Sequence, residues 1–327
     1  MSRLITILAV LAVAVPAAAD TTAIVGGKVH TVGPMGTLED ATVLIVDGRI
    51  AAVGEDVDIP AGTNTIDATG KVVTPGLFSA FGQLGLVEVG MSAGPTDYAQ
   101  RGTQFTAGFD VADAYNPRST LIPINRIEGV TRAVVAPTPG YPDESGMGHV
   151  LAGLAAIVNL GDDDVLDQRG AAMVVALGEY GSALSGGTRT AAWLTLRNAL
   201  DEAIDYREHK GDFERGMRRE YVHSVNDLEA LQGVVNGNTP MIVSIDRASD
   251  IEVLIDFVDE YGVTAIILGG SEAWMLADKL AAADIAVIVG PSANLPGSFD
   301  DINARFGSAS MLVNAGVKVA IADGDAQ

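Results

Sequence analysis

The sequence predicts an α/β fold, a (β/α)8 barrel of the TIM type, preceded by a small N-terminal β-domain. Eight apolar segments carry the barrel assignment: 77–83, 131–136, 155–160, 172–177, 241–245, 264–268, 285–289 and 317–322. Amphipathic stretches separate the later ones, and regular strand–helix alternation is the mark of a sheet built from parallel strands. The segments are near-continuous runs of Val, Ile, Leu and Ala, as strands covered on both faces require. At 327 residues the chain is long enough for one such barrel and a small domain.

The N-terminal domain reads as short strands and turns. "TTAIVGGKVHTV" is a strand that places His30 in the β-domain. "ATVLIVDGRIAAVG" is a hairpin with a type I′ bend at Asp47-Gly48. "NTIDATGKVVTPG" gives another strand pair about Ala68-Thr69-Gly70. The expected architecture is β-sandwich-type, and the expected plan is a signal peptide over 1–19, the β-domain over 20–75 and the barrel over 76–327.

In the barrel half, residues 189–207 put Ala192, Leu196, Ala199, Leu200 and Ala203 on one helical face. Segments 225–236, 249–261, 272–283 and 301–315 read as further helices. The Gly- and Pro-rich stretches 90–130 and 137–150 read as long loops over the barrel mouth. The segments at 155–160 and 172–177 stand either as barrel strands or as an inserted hairpin.

Composition narrows the function classes. A net charge of −22 disfavours nucleic acid and anionic membrane surfaces as partners. Arg3, the apolar run Leu4 to Val15 and Ala17-Ala18-Ala19 form a secretory signal, with cleavage expected after Ala19 and a periplasmic destination. No membrane association is expected once the signal is removed. The absence of cysteine excludes disulfides and thiolate metal sites.

Motifs for other chemistries are weak. "LGGSEAW" at 268–274 is a glycine pair before a helix, a faint phosphate-loop signal. Ser145 in "DESGMG" lacks the surroundings of a nucleophile elbow. Glu88 and Asp97 follow the first barrel strand and read as acidic loop residues. His209 and His223 flank "REHKGDFERGMRREYVH", which reads as a solvated charged face. His149, in a Gly-rich loop, is the histidine placed nearest a site.

Taken together, "VDGRIAAVG", "IDATGKVVTPGL" with its following strand, "VALGEYGSALSGGTRTAAWLTLRNALDEAIDY", "PMIVSIDRASDIEVLIDFVDEYGVTAIILGGSEAW" and "LVNAGVKVAIADGD" resemble the amidohydrolase superfamily. The likeness is greatest to its exported imidazolonepropionase-type members. The resemblance implies a hydrolase of C–N (non-peptide) bonds in cyclic amides or dipeptide-like small molecules. It also implies zinc or a similar divalent metal held at strand ends, lowering the pKa of a bound water.

The residues depart from that pattern. The first-strand His-x-His positions hold Phe81 and Gln83, and the aspartate before them is Ser79. The strand-five histidine position holds Ser244, and the strand-six position holds Gly269. Strand four offers only Glu179 just past its end. Asp323 alone matches, as the catalytic aspartate. Possible substitute ligands are Glu179, Asp246 and His149. The expectation is therefore no metal cofactor.

Two readings follow. One is a hydrolase with impaired or lost metal-dependent catalysis. The other is a catalytically dead periplasmic relative that binds a small-molecule ligand, as a homo-oligomer or as a heteromer with an active relative. The chain stops at Asp323-Gly-Asp-Ala-Gln. Members of the family continue with strands that complete the β-domain, so this chain reads as C-terminally truncated, with an incomplete β-domain.

Overall fold

The computed structural model describes residues 20–89, 96–99, 105–140, 148–162, 165–291 and 295–322. The signal at 1–19, Ser145 and the catalytic candidate Asp323 lie outside the described residues. The chain divides into two compact units, 1–75 and 76–327.

The first unit is built on strand β1 (Thr21–His30). Strand β2 (Thr37–Val46) pairs antiparallel with β1, and β3 (Arg49–Gly54) pairs antiparallel with β2. The β2–β3 bend has positive φ at both Asp47 (50°) and Gly48 (74°), which is the type I′ geometry that matches strand twist. β4 (Asn64–Asp67) and β5 (Val72–Val73) do not pair with each other. Both lie parallel to β1, one beside Thr22–Val25 and the other beside Lys28 and Val29. The described residues thus form one five-stranded sheet and not two facing sheets. The last two strands both extend the same edge of β1. Val29, Ala41 and Val43 are the centre of its core.

The second unit contains one eight-stranded sheet. Its strands are β6 (Leu77–Gly82), β7 (Val130–Val135), β8 (Leu151–Asn159), β9 (Leu166–Ala176), β10 (Met241–Ile245), β11 (Ala265–Gly269), β12 (Ala286–Val289) and β13 (Val319–Ile321). Neighbours in space are neighbours in sequence, and β6 and β13 approach each other to all but close the barrel. Each of the eight apolar segments overlaps one strand.

The barrel departs from uniform parallel order at one strand. β8 runs antiparallel to both β7 and β9, so β8 and β9 are a hairpin within the wall. The reason is the length of the connection. Only residues 160–165 join them, and a parallel crossover needs about a dozen residues or more. The remaining strands are parallel: β6 with β7, and β9 through β13 in series.

Alternation along the strands sorts side chains into two layers. Ala172, Val174, Ile242 and Ile288 meet Phe81, Ala136 and Ala155 inside the barrel. Met173, Val175, Met241, Val243, Ile267 and Val287 face outward onto helices.

Seven residues of the expected first loop form helix α1 (Leu121–Ile127), with Pro123 in its first turn, where its missing N–H costs nothing. Helix α2 (Gly178–Leu184) follows β9, and α3 (Arg189–Glu214) lies along the wall. Thr188 caps α3 by accepting from Ala191 N at 3.2 Å. The five residues read as its apolar face are all buried, in one cluster with Leu254 and Phe257.

The segment 225–236 forms two short helices, α4 (Val225–Ala230) and α5 (Gln232–Val235). α6 (Ala248–Tyr261) ends at Gly262, whose φ of 63° closes the helix in the left-handed conformation. α7 (Ala277–Ala282) follows a single 3₁₀ turn. Of 301–315 only α8 (Ser308–Asn314) is helical. Asp301 turns the chain earlier, accepting from Gly297 N and Ser298 N.

Candidate functional site at the barrel mouth

In a barrel of this kind the reactive end is where the parallel strands finish. A cavity of about 450 Å³ opens there, past the ends of β9 and β10. Glu179, Ser244, Asp246, Ser298 and Asp300 supply its polar lining. Three of the residues singled out from sequence, Glu179, Ser244 and Asp246, therefore meet in one place. Asp300 was missed, because nothing in its local sequence marks it. Its signal is tertiary, an acceptor brought to the start of α2 from 121 positions away.

Asp246 follows β10 on the inward side, and its environment decides its chemistry. Its Oδ1 accepts from Ser271 N at 3.0 Å and Ser271 Oγ at 2.8 Å. Burial raises the carboxyl above its ordinary range, with Asp301 and Asp300 adding to the rise against the Ser271 hydrogen bonds. Asp246 thus holds its proton to higher pH than a surface carboxylate.

The same hydrogen bonds overturn the phosphate-loop reading of 268–274. Gly270 N donates to Ile245 O, Ser271 N to Asp246 Oδ1 and Glu272 N to Asp246 O. Those three N–H groups, which an anion would need, are already used within the protein.

Asp300 is held from two sides. Its Oδ2 accepts from Glu179 N at 2.8 Å, and its Oδ1 pairs with Arg189. Arg189 also donates through Nε to Asp250 Oδ2 at 2.8 Å. One guanidinium therefore fixes α6, the start of α3 and the 298–300 turn around the mouth.

The residues at the metal-ligand positions of the resemblance do not fit a metal. Phe81 is 3% exposed and packed with Ala80, Ala136 and Ala155 inside the barrel. Gln83 is buried just beyond β6 and offers a neutral amide. Ser244 contributes a hydroxyl. At Gly269, with φ of 94°, a Cβ would lie 2.7 Å from Asp246 Oδ1. Asp246 thus occupies the space a strand-six side chain would enter. A catalytic zinc site takes about three nitrogen or carboxylate donors around one open position, and this set has no imidazole. Among the described residues no group of three or more His, Asp or Glu is arranged to hold a metal ion.

His149 lies elsewhere. It precedes β8 and lines a separate cavity, not the one holding Glu179 and Asp246, so the three substitute ligands are not one set. His223 is there too, and its reading as part of a solvated face is corrected. Its side chain is only 7% exposed and is bound to Glu202 of α3. The charged run concealed it because the partner stands 21 residues earlier, inside the long helix.

His209, by contrast, sits part-exposed at a kink in α3 with its ring against Asp205. His30 contacts Thr37 Oγ1 within the small sheet. Glu88 accepts from Asn116 Nδ2, Ser119 Oγ and Thr120 N, which gives it a structural role at the start of α1.

His149 supplies a pH signature. Burial, with His223 beside it, lowers its pKa from 6.5 to about 4 against the opposing pull of Asp227. The folded state keeps the ring neutral while the unfolded chain takes up a proton, so stability falls as pH drops from about 6.5 to about 4. His149→Gln is expected to remove that part of the acid dependence. Melting temperatures of both proteins across this range are the measurement. Parallel curves would reject the assignment.

The fold, an eight-stranded α/β barrel preceded by a small β-sheet unit, is similar to that of a solved amidohydrolase. An amidohydrolase from Thermotoga maritima MSB8 superposes with a TM-score of 0.77 at 22% identity, over 93% of this chain and 79% of that one. A stretch of 52 residues is 42% identical to the imidazolonepropionase of Mycolicibacterium smegmatis, covering 16% of this chain and 13% of that protein. No family model matches the chain. The fold expected from the resemblance is the fold observed.

No described helix is long and apolar enough to cross a membrane.

Proposed function

We propose that this chain derives from hydrolases of C–N bonds and has lost metal-dependent turnover, keeping the barrel mouth as a binding pocket for a small polar molecule. The observation that carries this is Phe81, a buried aromatic ring inside the barrel at a metal-ligand position, facing a wall where Asp246 fills the space beside Gly269. The hydrolytic ancestry rests on the fold and on the short stretch shared with an imidazolonepropionase. Ser244, Glu179 and the raised carboxyl of Asp246 give the pocket both donors and acceptors. Export to the periplasm, and action as a homo-oligomer or beside an active relative, belong to the same proposal.

Elemental analysis of the dialysed protein, paired with hydrolysis assays on cyclic amides, tests it. Little metal and no turnover, with cyclic amides still raising the melting temperature, is the expected result. Near one equivalent of tightly held metal, with activity removed by a chelator, would overturn it.

A further inference from the structure

Between α3 and the segment 217–224 lies a cavity of about 1200 Å³, larger than the one at the barrel mouth and sharing no lining residue with it. Its centre is a pair of imidazoles. The rings of His149 and His223 meet edge to face, with centroids 5.6 Å apart and planes at 87°.

Each ring has one nitrogen fixed. His149 Nδ1 accepts from Leu151 N at 3.1 Å, which places its proton on Nε2 when the ring is neutral. His223 Nδ1 faces Glu202 Oε2 at 2.9 Å. Glu202 also accepts from Val222 N and His223 N. Burial opposes its charge, but these hydrogen bonds hold the carboxyl below its ordinary range, so it is an anion and His223 Nδ1–H is the donor. In the neutral ring the Nε2 on the far edge of His223 carries the lone pair.

Two further features point to a ligand. Ser185 lines the cavity, is 7% exposed, and its hydroxyl has no hydrogen-bond partner among the described residues. An unmatched buried hydroxyl of this kind is rare and costly. The charge is also one-sided. Four carboxylates line the cavity against two guanidinium groups, and one of those, Arg218, is engaged with Asp205. Buried Asp227 is held by backbone N–H groups and Ser224, with no Lys or Arg partner among the described residues. Leu194, Ala191 and Val222 supply an apolar wall.

We propose that this cavity is a second ligand site that takes a small organic cation, a protonated amine or amidine, on His223 Nε2 and the Ser185 hydroxyl. The carboxylate excess selects the positive charge. The lone pair and the hydroxyl accept its N–H groups, and the apolar wall covers its carbon body. His149, kept neutral by burial, presents no opposing charge. The inference does not depend on the fate of the barrel mouth.

Calorimetric titration of the full chain tests it, with benzamidine and butylamine as cations and benzamide and butanol as neutral counterparts. The cations are expected to bind at least about tenfold more tightly than the neutral molecules, the scale of a charge-assisted hydrogen bond. Glu202→Gln and Ser185→Ala should each weaken cation binding about tenfold. Leu194→Trp fills the cavity from a part-exposed wall without touching the core and should abolish binding. Asp246→Asn at the barrel mouth should leave it unchanged.

The chain has four histidines, so their ring signals can be assigned by substitution. Cation binding should shift those of His149 and His223 and leave those of His30 and His209. Equal binding of benzamide and benzamidine, no binding at all, or loss of binding in Asp246→Asn but not in Leu194→Trp would each overturn the proposal.

Discussion

Changing Phe81 and Gln83 together to histidine is expected to leave the protein without bound zinc and to destabilise it by about 3 kcal/mol. Phe81 sits 3% exposed in a barrel interior otherwise lined largely by alanine, so its ring fills most of the local volume. The smaller imidazole leaves space around it. Its two nitrogens would also enter an apolar interior shared with Ala80, Ala136 and Ala155, which offer no side-chain partners.

The missing donors are on the opposite wall. Ser244 is a weak neutral ligand, and Gly269 cannot gain a side chain while Asp246 holds its place against Ser271. Nothing near position 81 would orient the new ring, as metal-bound histidines require. Urea unfolding and elemental analysis of wild type and double variant measure both parts. About one zinc per chain in the variant would show that the far wall can rearrange to complete a site.

This case shows how far a sequence carries site information. The residues at the ligand positions of the resemblance, Phe81, Gln83, Ser244 and Gly269, are legible because each lies at or beside the end of a strand whose apolar run is unmistakable. The eight strands were legible for the same reason, since fully buried strands write long Val, Ile and Ala runs. The direction of β8 was not, because a periodicity of two has no sign, and only the short 160–165 connection decides it.

The Glu202–His223 pair was illegible for a different reason. His223 lies in a strongly charged stretch, and what buries it is a carboxylate on the helix before it. Composition alone cannot distinguish a solvated charge run from one folded back onto an acidic helix. Asp300 was hidden in the same way, inside a Pro-, Gly- and Asp-rich turn whose partners Glu179 and Arg189 stand more than a hundred residues away.

Arg189→Leu should be the most damaging single change near the mouth, costing about 3 kcal/mol or more. Arg189 pairs with both Asp250 and Asp300, whose side chains are 9% and 7% exposed. Removing the guanidinium leaves two nearly buried carboxylates without their cation, and an uncompensated buried charge costs more than the ion pair ever contributed. Because Arg189 itself is 34% exposed, water can reach part of the site, which places the loss at the lower end of the range for buried pairs.

The damage should spread along the hydrogen bonds. Asp300 accepts from Glu179 N, so a displaced 298–300 turn also frees the start of α2 and opens the mouth cavity. A triple variant adding Asp250→Asn and Asp300→Asn tests the electrostatic cause directly. It keeps the shapes, removes both stranded charges, and should recover more than half of the lost stability in urea unfolding. If the triple variant is no more stable than Arg189→Leu alone, the loss belongs to the packing of the arginine stem and not to its charge.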